Sequence, residues 1–215
     1  LTVGDELLSK AYPPAKLVAP IEDRLFPDTY WMPIKGDARA IVGKFHERFA
    51  QVMAELPKKL PIGADGKPLT RDQVLILASL VERETPIHSE RPLVAGVLLN
   101  RLRKGMRLQC DATVQYAREM AKLRGQTETG HKERLLYRDL EINSPYNTYK
   151  IAGLPPGPIC NPGRESILAA AKPKSSPYFF YVMSPKLKRH RFAVTFAEHG
   201  RNVRLARQER EALER

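Results

Sequence analysis

Two carboxylic acids, Glu82 and Glu84, close an apolar stretch that begins at Val74. A carboxylic acid that stays protonated near neutral pH is the proton donor that glycosidic bond cleavage needs. Whether either glutamate can do this depends on the element that carries it. Thr70 stands where a helix N-cap would, and Gln73 three residues later completes a capping box. Pro86 biases Thr85 away from helical geometry, so the helix is predicted to span residues 70–84. Helical residues step by about 100°. On that wheel Val74, Leu77, Leu80 and Val81 share one arc, and Glu84 projects between Leu77 and Leu80. An acid placed among apolar side chains resists ionisation, so its pKa rises. Glu82 falls on a different side, near Leu75 and Ala78. The plainer alternative is that both are solvated glutamates at a helix end.

The other elements follow from periodicity and punctuation. Residues 37–56 carry Ile41, Phe45, Phe49, Val52 and Leu56 at helical spacing, which predicts an amphipathic helix with a core-facing stripe. Residues 57–68 are turn-rich and contain Asp65 and Gly66. Ser89 can cap a second helix that tolerates Pro92 in its first turn and ends at Gly105. Asp111 can cap a third helix reaching about Leu123. Residues 124–133 are polar and expected to be mobile. Residues 144–162 hold five prolines in an irregular loop, a length that suggests function. A short helix over 164–171 follows. Residues 178–183 and 191–196 alternate like a hairpin, and a final helix starts near Ala197. Residues 25–31, interrupted by Pro27, read as a further strand. Residues 1–20 carry a short helical pattern and then Pro13 and Pro14, as a linker would. Together these predict an α+β fold, with a helix-rich domain packed on a small antiparallel sheet.

The chain has 215 residues, enough for one large domain that buries roughly 70% of its unfolded surface without a staple. No apolar run approaches the ~20 residues of a membrane span. It opens at Leu1 with no methionine, which suggests a piece of a longer protein. The formal net charge is +12, which suits an anionic polymer or membrane surface. Nucleic acid would be the other partner of such charge. No zinc-finger spacing, RNA-recognition signature or basic heptad region accompanies it, so no nucleic acid is expected. Basic residues concentrate over 186–215, as they also would on a solvated terminal helix. Cys110 and Cys160 match no metal-ligand spacing. No metal or cofactor is expected.

Several strings together resemble one family. Val81-Glu82-Arg83-Glu84-Thr85 is followed by Ser89-Glu90-Arg91 and by Val97-Leu98-Leu99-Asn100-Arg101-Leu102. Then come Gly105-Met106-Arg107-Leu108-Gln109, Asp111-Ala112-Thr113-Val114, Ser144-Pro145-Tyr146-Asn147-Thr148-Tyr149 and Gly153-Leu154-Pro155-Pro156-Gly157. Upstream, residues 25–30 also fit, and downstream Tyr178 to Val182 with His190-Arg191-Phe192 fit a closing hairpin. In this order they resemble the catalytic segment of the YceG-like (MltG) endolytic murein transglycosylases, over about residues 21–210.

The resemblance implies a bacterial inner-membrane enzyme with its catalytic domain in the periplasm. A membrane helix, absent from this chain, and a LysM-like region would precede that domain. Residues 1–20 would then be a linker or a LysM-like remnant, and residues 21–215 the catalytic domain. The implied substrate is the peptidoglycan glycan strand, cut internally between N-acetylmuramic acid and N-acetylglucosamine to leave a 1,6-anhydromuramyl end. Peptidoglycan synthases are the implied partners, with strand termination as the role. The essential glutamate maps onto Glu84. Glu82 would then tune charge or hold a hydrogen bond, or be solvated. Asn100 and Arg101 would support the site. Gln109, Asp111 and Thr113 would line a sugar groove, Asp111 serving otherwise as a cap. Tyr146, Asn147, Thr148 and Tyr149 would bind sugar through amide, hydroxyl and ring, or else fix their own loop. The implied location permits a Cys110–Cys160 disulfide, and the pair is expected within bridging distance.

Two other readings stay open at this stage. A water-using glycoside hydrolase would leave a reducing end, although no second carboxylate obviously accompanies Glu84. A silent peptidoglycan-binding or scaffolding module would bind glycan and cut nothing.

Overall fold

The computed structural model describes residues 24–32, 37–123 and 135–214. The predicted short helix and LysM-like remnant of residues 1–20, and the whole of the polar segment 124–133, lie outside the described residues. Helix α1 (Ala38–Ala54) starts where the Asp37 carboxylate accepts the Ala40 N–H at 2.8 Å. It buries Phe49, Val52 and Met53.

Helix α2 (Arg71–Glu84) begins at the expected capping box: Thr70 Oγ1 accepts the Gln73 N–H at 3.1 Å, and Gln73 Oε1 accepts the Thr70 N–H at 2.8 Å. It stops where Thr85 turns extended, with φ −143° and ψ 125°. Its eight residues from Val74 to Val81 are all buried, so α2 is the central helix of the core. Helix α3 (Arg91–Arg103) follows a 3₁₀ turn, His88–Glu90. The expectation that Ser89 caps it fails: Glu90 holds the cap position and makes no side-chain cap bond, because its carboxylate reaches across to the hairpin. The end of α3 is as expected. Gly105 takes φ +65°, and the Met106 and Gly105 N–H groups donate to Arg101 O and Leu102 O at 2.9 and 3.0 Å.

Helix α4 (Asp111–Leu123) has Asp111 as its first residue rather than its cap. Helix α5 (Arg164–Ala171) packs against both α2 and α3. The segment after α5 runs close over α3 at Gly96, where the Lys174 N–H donates to Pro92 O at 2.8 Å. A Cβ at Gly96 would stand 2.2 Å from Lys174 O. Residues 144–162 form turns tied to α2, with the Ile159 N–H donating to Ser79 Oγ at 3.1 Å.

Strands β1 (Phe180–Ser184) and β2 (Arg189–Ala193) form an antiparallel hairpin with Tyr181 opposite Phe192 and Met183 opposite His190. Helix α6 (Phe196–Leu213), capped by Thr195, packs on both strands. The sheet is smaller than predicted. Residues 25–31 form no strand, since Pro27 lacks the N–H a ladder needs. Instead Phe26 is buried, and Tyr30 packs its ring 4.6 Å from that of Phe45 on α1. Among the described residues, no helix is long and apolar enough to cross a membrane.

Candidate active site

Glu84 ends α2 at the wall of a cavity of about 440 Å³. It is lined by Arg101 of α3, Gln109 and Asp111 before and at the start of α4, and Tyr149. Phe180, Tyr181 and Val182 of β1, with Phe196, His199 and Val203 of α6, complete it. The apolar arc of α2 buries the helix and leaves its last acid half-buried at the cavity. Burial pushes the Glu84 carboxyl up to about 7, and the Asp111 charge adds to this. Opposing that rise, the Tyr181 hydroxyl donates to Glu84 Oε2 at 2.7 Å, the Cys110 thiol also hydrogen-bonds, and Arg101 lies nearby. The result is an acid that still holds its proton in part near neutral pH.

Arg101 is a buried cation held in place by carbonyls. Its Nε donates to Phe179 O at 2.8 Å and its Nη1 to Leu108 O at 2.6 Å, and it lies over the Phe180 ring. It thereby joins α3, the Gln109 segment and β1 around Glu84. Gln109 has φ +54° and its Oε1 accepts from Arg101 at 3.3 Å. Asp111 Oδ1 accepts the Tyr149 hydroxyl at 2.5 Å. Burial and this bond raise the Tyr149 pKa, so the phenol stays protonated. Asp111 and Tyr149 also border a second cavity of about 390 Å³, lined by Leu135, Leu136, Tyr137 and Leu140.

Glu84, Gln109, Asp111 and Tyr149 are therefore brought together at one cavity. The other expected residues are placed elsewhere. Glu82 does not line the cavity: it accepts from Arg91 at 2.9 Å and from the Gly163 N–H at 3.0 Å, tying α2 to α3 and to the start of α5. Asn100 donates to Ser176 O and Tyr178 O at 2.8 and 3.0 Å, so it holds the chain entering β1. Thr113, Asn147 and Thr148 are fully buried and cannot reach a sugar. Thr148 Oγ1 accepts the Cys110 N–H and meets Thr113 Oγ1, while Asn147 donates to Leu140 O and Ile142 O. Tyr146 packs its ring against that of Tyr116, tilted, with centroids 4.7 Å apart. These six frame the cavity and do not line it. The expected disulfide is also corrected. Both cysteines are free, and their thiols point to different carbonyls: Cys110 to Leu108 O at 3.9 Å, Cys160 to Ser79 O at 3.5 Å.

Tyr181, Phe180, Phe196 and His199 went unassigned as site residues. The alternation of the hairpin marks them as strand or helix residues, but no local signal says that Tyr181 meets a side chain 97 residues away. Among the described residues, no group of three or more His, Cys, Asp or Glu side chains could hold a metal ion.

An α+β domain that presents one acid of raised pKa in an open polar and aromatic cavity is thus defined. The YceG-like family matches residues 4–205, and the chain belongs to that family. It is 36% identical over 168 residues to an endolytic murein transglycosylase of Bacillus subtilis (strain 168), covering 76% of this chain and 42% of that protein. It is 31% identical over 186 residues to one of Streptococcus pneumoniae (strain R6), covering 85% of this chain and 32% of that protein. A crystal structure of a YceG-like protein of Listeria monocytogenes superposes with a TM-score of 0.67 at 32% identity, over 92% of this chain and 58% of that one. The chain thus spans less than half the length of the curated relatives it matches.

Proposed function

We propose that this chain is the catalytic part of an endolytic lytic transglycosylase acting on peptidoglycan. The observation that carries this reading is Glu84, a carboxyl titrating near neutrality in an open cavity. The names of the Bacillus and Streptococcus relatives support the same substrate. Protonated Glu84 gives its proton to the glycosidic oxygen as the bond to the muramyl anomeric carbon breaks. The resulting carboxylate takes the proton of the muramyl C6 hydroxyl, whose oxygen closes on that carbon. The product is a 1,6-anhydromuramyl end, Glu84 is again protonated, and no water is consumed. The nucleophile belongs to the sugar itself, so the step has the effective-molarity advantage of an intramolecular attack. The acetamido group of the substrate stabilises the cationic centre, so one enzyme carboxyl suffices.

The cavity beyond Asp111 and Tyr149 continues the path of the glycan, with the Tyr149 and Tyr137 rings as stacking faces. Anchored to the inner membrane by a preceding helix and working beside peptidoglycan synthases, the enzyme would terminate growing strands. Glu82 serves as a support for Arg91 and Gly163.

One observation favours a second reading. Asp111 places another carboxylate in the same cavity, as a water-activating hydrolase would require. Mass spectra of the soluble products separate the two, because the anhydro product lacks one water. A binding module would retain glycan and release no fragment.

A further inference from the structure

Glu84 and Glu90 flank the turn between α2 and α3, and both reach onto the same hairpin. Glu84 receives the Tyr181 hydroxyl of β1 at 2.7 Å. Glu90 receives both the backbone N–H of His190 on β2, at 3.2 Å to each oxygen, and its ring Nδ1 at 2.6 Å. Glu90 and His190 are each less than 10% exposed. The His190 ring stands edge-on to the Tyr181 ring, at 5.4 Å and 89°, and Phe192 lies 6.2 Å from the Tyr181 ring. The phenol is thus gripped by the hairpin, and the hairpin is pinned to the start of α3.

We propose that Tyr181 is the positioning residue for the acid, and that the buried Glu90–His190 pair fixes Tyr181 in that task. The inference rests on the proposed function only in supposing that Glu84 transfers a proton. A carboxyl has two oxygens, and its acidic proton must sit on the one facing the substrate. A hydroxyl donated to Oε2 disfavours a proton there and leaves Oε1 to carry it. Once that proton has gone, the same hydroxyl stabilises the carboxylate until the next one arrives. Tyr181 does not compete as an acid, since burial and the Glu84 charge hold its own proton tightly. The other groups acting on Glu84 are the Cys110 thiol, Asp111 at the start of α4, Arg101 from α3 and the Tyr149 phenol, whose proton is held by Asp111. The thiol is a weak donor, and Arg101 is committed to carbonyls, so Tyr181 is the strong neutral donor on the acid.

The test is Tyr181→Phe, which keeps the ring and removes only the hydroxyl. The titration of the Glu84 carboxyl is followed by carbon-13 NMR, and kcat and KM for glycan cleavage are measured across pH. The Glu84 titration should move upward, by on the order of one pH unit. The alkaline limb of kcat should move with it, and kcat should fall on the order of tenfold with KM little changed. Glu90→Gln should lower kcat in the same way, with Tyr181 still present but loosely held. A Glu84 titration that stays in place in Tyr181→Phe, or a loss confined to KM, would overturn the proposal. The carboxyl titration reads the hydrogen bond whether or not the protein cuts glycan. A wild-type protein without turnover would therefore count against the proposed function, and the titration would still decide the role of Tyr181.

Discussion

Tyr149 donates its hydroxyl to Asp111 at 2.5 Å, and this pair divides the cavity of Glu84 from its neighbour. The negative charge of Asp111 is one of the causes that raise the Glu84 carboxyl. Asp111→Asn should therefore lower the Glu84 pKa. The alkaline limb of glycan cleavage would shift to lower pH, by on the order of half a unit. The products should still carry anhydro ends. A variant that loses all cleavage while keeping its glycan affinity would instead make Asp111 a partner in the chemistry.

The reach of the sequence ended where contacts became distant. The capping box of Thr70 and Gln73, the stop at Thr85 and the glycine at 105 are local devices, and each stands where it was read. Glu84 was legible for the same reason, because a helical wheel needs only the residues of one helix. Tyr181 was not, because nothing near it in the chain shows which acid its hydroxyl meets. Thr113, Asn147 and Thr148 show a different obstacle. Hydroxyls and amides bind sugars and backbone equally well, and only burial reveals which they do. At residues 25–31 the aromatic and β-branched content favours a strand, but Pro27 lacks the N–H a ladder needs, and the segment packs on α1 instead.

Glu84→Gln should change stability in a pH-dependent way. The ordinary Glu value of 4.5 rises to about 7 in the folded protein, so the fold holds this proton more tightly than the unfolded chain does. That contribution is fully present below about 4.5 and is lost as pH rises through about 7. Glutamine has no proton to lose. The variant should match the wild type near pH 4 and gain relative stability toward pH 8.5, by at most ~3 kcal/mol. Urea unfolding at both pH values measures this. An offset equal at both would argue against the raised carboxyl.

Gly96→Ala should destabilise the contact of α3 with the segment that follows α5. The new methyl carbon would stand 2.2 Å from Lys174 O, a backbone atom that cannot swing aside as a side chain would. A cost of about 2 kcal/mol or more is expected for such overpacking. In a chain of this size that is a fall in melting temperature of roughly 5 °C. Retention of the wild-type melting temperature would mean that the contact is not this close.

The two thiols should be independent. Burial holds both thiols protonated, raising Cys160 to about 11 and Cys110 well above the ordinary thiol value. Both should resist alkylation in the folded protein, Cys110 the more so because it is buried. After unfolding without reductant, both should be modified. Recovery of neither until a reductant is added would show a disulfide.

In the proposed function Glu84 carries the proton for a reaction that needs no water. Purified peptidoglycan should be digested with the wild type and with Glu84→Gln, and the released fragments weighed by mass spectrometry. Fragments with 1,6-anhydromuramyl ends are expected from the wild type and none from the variant. Anhydro fragments from both proteins, or fragments heavier by one water from the wild type, would contradict it.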